Sequence, residues 1–80
     1  MADVQWTRAD EGTDRERMVA ERGGRRLAVW YDADGEGWAY AVYREDEGGH
    51  YREVDGGPLD AEEEGAACEE ATHAASWRRA

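Results

Sequence analysis

Eighty residues with 20 acidic side chains, 10 basic ones and a net charge of −10 argue against bare nucleic acid or an anionic membrane as a partner, since both would be repelled. The length holds a single domain, 1–80, whose one core buries only about 60–65% of the surface of the unfolded chain and leaves little room for a catalytic pocket with a supporting shell. A lone cysteine cannot form an internal disulfide, no basic-then-apolar leader opens the chain and no apolar run approaches membrane-spanning length, so the reducing cytoplasm is the expected setting.

The bulky apolar residues are almost all aromatic: Trp6, Trp30, Trp38, Trp77, Tyr31, Tyr40, Tyr43 and Tyr51, with no Phe and no Ile. Val4-Gln5-Trp6 reads as an additional first strand, followed by a loop over residues 9–15. Two extended segments, 16–22 and 25–31, flank Gly23-Gly24, and glycine supplies the positive φ that a tight primed hairpin turn requires. Leu27, Val29 and Tyr31 share one face of the second segment, and Ala28 and Trp30 share the other. Asp32 to Gly37 is a turn, Trp38 to Tyr43 alternates again, and Asp46-Glu47-Gly48-Gly49 is a further turn. A weaker strand covers His50 to Asp55, and Gly56-Gly57-Pro58 is expected to end the sheet.

From Asp60 the period becomes helical. Asp60 stands as N-cap, Glu63 completes a capping box, and acids crowd the first turn. Ala61, Cys68, Ala71, Thr72 and Ala75 fall on one face of small residues, and Arg78 and Arg79 lie at the far end. The expected fold is α+β: an antiparallel meander of three or four strands within about residues 4–55, with one C-terminal helix over about 60–77 packed across one face.

Chemistry-bearing patterns are sparse. Asp32-Ala33-Asp34-Gly35-Glu36-Gly37 resembles the start of an EF-hand calcium loop, but the twelfth position is Tyr43 and the flanks read as strands. Cys68 and His73 point to different helix faces, and with His50 they complete no metal site. No phosphate loop is present and the single Ser is Ser76. No enzyme activity, metal or cofactor is therefore expected.

The outer face of the helix is more informative. Glu62, Glu63, Glu69 and Glu70 project within a sector of about 120° at the helical repeat, and Glu45, Asp46 and Glu47 add charge from a turn. Such a surface serves solubility, or it imitates the charge of a nucleic-acid backbone toward a basic groove. Trp77 falls with this acidic sector. Either it folds back over the sheet, or it stands among the acids as an aromatic contact. A set of Arg25, Arg26 and Trp30 would suit a single-strand binder, against the net charge.

The layout has a further resonance. Trp6 near the start, the segment LAVWYDADGEGWAYAVYRED at 27–46, a Gly-bounded third strand and the closing helix DAEEEGAACEEATHAA at 60–75 resemble small proteins of bacteriophages and mobile elements, some of which are anti-CRISPR inhibitors. The resemblance implies an acidic, non-enzymatic inhibitor that blocks a nucleic-acid-binding surface of a host defence complex, inside the host cell, without itself touching nucleic acid or membrane. The alternative is a homodimeric accessory domain that uses the aromatic sheet face.

Overall fold

The computed structural model describes residues 4–75. Gly23 and Gly24 both take positive φ, 55° and 80°, the backbone of a two-residue hairpin turn. They join β2 (Arg17–Arg22) to β3 (Arg25–Asp32). Asp32 Oδ1 accepts the amides of Asp34 and Gly35 at 3.1 and 3.2 Å and closes the next turn, after which β4 runs Gly37–Glu45. Asp46 Oδ1 accepts the amides of Gly48 and His50 at 2.8 and 3.0 Å and leads into β5, Tyr51–Pro58. Short β1, Thr7–Ala9, pairs with β2 through Thr7–Val19 and Ala9–Arg17. The sheet therefore has five antiparallel strands in sequence order, one or two more than the periodicity suggested.

Two strand boundaries differ from the sequence expectation. The first strand is Thr7–Ala9, not Val4 to Trp6; Val4 and Trp6 instead pack against the core. Gly56-Gly57-Pro58 does not end the sheet but continues β5, opposite Ala41, Tyr40 and Ala39. Proline is tolerated because β5 is an edge strand, where one side of the ladder has no partner to receive an N–H. Gly56 is needed there, since a Cβ would come within 2.8 Å of the Tyr40 carbonyl oxygen. The register shifts opposite Val42 and Tyr43 and leaves Val54 as the extra residue of a bulge.

The helix α1 spans Glu64–Ala74, three residues later at its start than the capping-box pattern suggested. Asp60 caps nothing. Its amide, and that of Ala61, donate instead to the Glu70 carboxylate at 2.9 to 3.1 Å, which ties the β5–α1 linker to the helix. Glu63 occupies the N-cap position with extended backbone and no side-chain cap bond. The expected stretch up to residue 77, with Trp77, Arg78 and Arg79, reaches beyond the described residues.

One face of the sheet carries the core. Leu27 and Val29, both fully buried, join Ala20, Val42 and Leu59, and the helix lays Ala67, Cys68 and Ala71 onto them. Small helix residues let the axis approach β3 and β4 closely, and each buried Leu or Val contributes about 1.5–3 kcal/mol. The expected face was right for Cys68, Ala71 and Thr72. Ala67 completes it, while Ala61 and Ala75 are partly buried at its margin. Thr72 Oγ1 donates to the Cys68 carbonyl at 2.8 Å, so its burial leaves no unpaired hydroxyl.

Candidate functional site

Consecutive antiparallel strands send successive loops to alternate ends of a sheet. The β1–β2 loop, the β3–β4 turn and the β5–α1 linker therefore meet at one end. Together they bring eleven carboxylates there: Asp10, Glu11, Asp14 and Glu16 from the loop, Asp32, Asp34 and Glu36 from the turn, and Asp60, Glu62, Glu63 and Glu64 from the linker and first helical residue. The basic residues beside them are Arg8, Arg15 and Arg17.

Part of this charge builds the end itself. Arg8 on β1 reaches Glu16 at 2.6 Å and grips both oxygens of Glu64 at 2.8 Å, so one guanidinium ties strand, loop and helix start together. These hydrogen bonds, from Glu64 first and then Glu16, push the Arg8 pKa up. Glu16 accepts the Gly12 amide at 3.0 Å, and that bond, followed by the one from Arg8, holds its carboxyl below the usual range. Arg17 pairs with Asp10 at 2.9 Å. Asp32 is occupied by turn amides.

The rest is open. Glu11, Asp14, Asp34, Glu36, Asp60, Glu62 and Glu63 are exposed and, among the described residues, lie in no ion pair. Seven carboxylates without an ion pair thus gather at one end of a molecule about 34 Å long, where charges within about 8–10 Å of one another act together at physiological salt.

The seven acids singled out from the sequence do not form one surface. Glu62 and Glu63 belong to the acidic end, although they precede the helix. Glu69 is exposed along the helix, and Glu70 turns onto the linker amides. Glu45, Asp46 and Glu47 sit at the opposite end of the sheet, where Asp46 is engaged in its own turn. Helical spacing alone grouped Glu62 and Glu63 with Glu69 and Glu70. The contribution of Glu11, Asp14, Asp34, Glu36 and Asp60 was missed; counting hairpins, and so the end at which each loop falls, would have found it. Trp77 lies outside the described residues.

On the face away from the helix, Ala28 and Ala41 are 2% and 1% exposed, in a row with Val19 and beside Trp30 and Tyr43. The large apolar side chains that stand exposed among the described residues are Tyr31, edge-on to Trp38, and Val54. The proposed trio of Arg25, Arg26 and Trp30 is split, since alternation sends Arg25 to the opposite face. Arg26 is held by Glu21 and lies 4.2 Å from the Tyr51 ring centroid.

Among the described residues no three His, Cys, Asp or Glu side chains converge on a metal position. Cys68 is buried, and burial, followed by the charge of Glu64, raises its pKa to about 11. No described helix is long and apolar enough to cross a membrane. Compared with known proteins, the chain matches no family model, no curated protein and no solved structure.

Proposed function

We propose that the protein is a non-catalytic inhibitor that presents its acidic end to a basic, nucleic-acid-binding surface of a host defence complex of the CRISPR–Cas type. The observation that carries this reading is the set of seven exposed, unpaired carboxylates contributed by three separate loops. Their like charges repel one another in the free protein. A basic groove would relieve that repulsion and exchange counterions as nucleic acid does. The Arg8 bridge to Glu16 and Glu64 gives the charged loops a fixed relation, which lowers the ordering cost of binding.

The test begins with affinity capture from a bacterial lysate and continues on the purified partner. Binding should weaken steeply with salt, compete with the partner's nucleic acid, and vanish when Asp34, Glu36, Glu62 and Glu63 are all changed to Arg in a variant that stays folded. Retained full-strength binding by that variant, or a ternary complex with nucleic acid in place, would sink the reading. The partly exposed Trp30 and Tyr43 favour a second reading, a homodimer through the open sheet face. Sedimentation would then show a dimer nearly indifferent to salt.

A further inference from the structure

The end of the sheet opposite the acidic loops carries Glu45, Asp46 and Glu47 in its turn, but on the helix-bearing face it also carries a row of arginines. Cross-strand register places Arg22 beside Arg25, Arg25 beside Arg44, and Arg44 beside Arg52. Four adjacent strands thus contribute four consecutive arginines to one row, about 14 Å from first to last at the usual strand spacing. Directly opposed residues project to the same face. Arg25 is two residues from Leu27 and Arg44 two from Val42, so the row lies on the helix-bearing side, just past the helix C-terminus. Arg25 and Arg44 also line a groove with Val42, Val54, Asp55 and Ala74.

Three of the row's members, Arg25, Arg44 and Arg52, share with Arg15 the lack of an ion pair among the described residues. Arg8, Arg17 and Arg26 each pair with a carboxylate. Arg25, Arg44 and Arg52 are exposed, in a chain that offers 20 acids. Of the nearby carboxylates, Glu21, Glu45 and Glu53 alternate to the opposite face, Asp46 is engaged in its own turn, and Asp55 lines the groove with Oδ1 accepting the Gly56 amide at 2.9 Å. Like charges directly opposite across a ladder are destabilising. The helix C-terminus beside Arg25 and Arg44 offsets only part of that repulsion.

We infer that this arginine row is a binding site for a phosphate-bearing anion. A terminal phosphate group offers three acceptor oxygens and up to two charges, so it takes guanidinium forks from two neighbouring strands at once, and a phosphodiester, with two free oxygens and one charge, repeats that charge at regular intervals along a chain. A chain of phosphates would lie across the strands along the row. The phosphate comes either from a free oligophosphate or from the backbone of a single-stranded nucleic acid. The acidic end lies more than a screening length away, so at physiological salt it opposes attraction to the row only weakly.

Titration of the intact protein with inorganic tripolyphosphate and with a labelled oligothymidylate distinguishes the two sources, with polyglutamate as the carboxylate comparator. Saturable binding to either phosphate probe, stronger than to polyglutamate, is expected. Arg25→Gln/Arg44→Gln should weaken it about tenfold or more, the loss of one charge-assisted hydrogen bond or better, and so should Arg52→Gln on the edge strand. Arg15→Gln at the acidic end should leave it unchanged. The row variants should melt at or above the wild-type temperature, because they relieve repulsion. Absence of saturable binding to both phosphate probes, equal binding of polyglutamate, or an equal loss in Arg15→Gln would overturn the inference. None of these residues is altered in the acidic-end variant, so the two readings fail separately.

Discussion

Glu70 was expected to face a partner, yet it makes a structural contact that can be measured directly. Its carboxylate accepts the Asp60 amide with both oxygens, at 3.1 and 3.0 Å, and the Ala61 amide at 2.9 Å. A hydrogen bond to a charged group is worth about 1.5–3 kcal/mol net. These donors lie near the surface, where water replaces part of what is lost, so Glu70→Ala should cost about 2 kcal/mol for the pair. In a domain of this size that corresponds to a fall in Tm of about 8–16 °C. Glu70→Gln keeps one acceptor oxygen without the charge and should lose about half as much. The control is Glu69→Ala, one position away and exposed, which should stay within about 0.5 kcal/mol of wild type. Circular dichroism melts at neutral pH decide the matter. Equal melting temperatures for Glu70→Ala and Glu69→Ala would refute the reasoning, because the linker amides would then be equally well served by water.

Two further outcomes follow from the packing. Ala71→Leu inserts three heavy atoms where the helix meets the sheet with no exposed surface and should cost about 1–3 kcal/mol or more, whereas Ala66→Leu on the exposed side should be near neutral; comparable thermal melts for the two would mean the helix is rotated otherwise. Cys68 has its folded pKa raised from 9.0 to about 11, chiefly by burial. The native state therefore keeps its proton longer than the unfolded state, and the stability associated with it is complete below about pH 9 and lost as pH rises toward 11. Melts across that window should fall more steeply for wild type than for Cys68→Ala, and parallel curves would contradict the assignment.

The hairpins were legible because Gly23-Gly24 and the alternation of Leu27, Val29 and Tyr31 are local signals whose physics involves only neighbours. What escaped was non-local. β1 is three residues, Thr7–Ala9, exposed at Thr7 and Arg8, with no periodicity to announce it. The capping box at Asp60 and Glu63 is sound local logic, but Glu70 takes the Asp60 and Ala61 amides from nine and ten residues away and the helix starts later. The same limit applied to the candidate surface. Helical spacing grouped acids that the linker separates, while the carboxylates gathered at one end of the sheet come from loops distant in sequence, and the arginine row exists only in the cross-strand register.

The sequence-ordered strands also bear on how the chain is made. Every ladder closes between neighbours in sequence, so each hairpin can form as soon as its second strand leaves the ribosome, and low contact order favours fast folding. The helix that covers Leu27, Val29 and Val42 follows all five strands. For the interval between sheet and helix, the nascent protein holds a formed sheet with one greasy side uncovered, the kind of species that aggregates. The acidic loops at 10–16 and 32–36 are already synthesised by then. Their mutual repulsion would keep neighbouring nascent chains apart until the helix arrives.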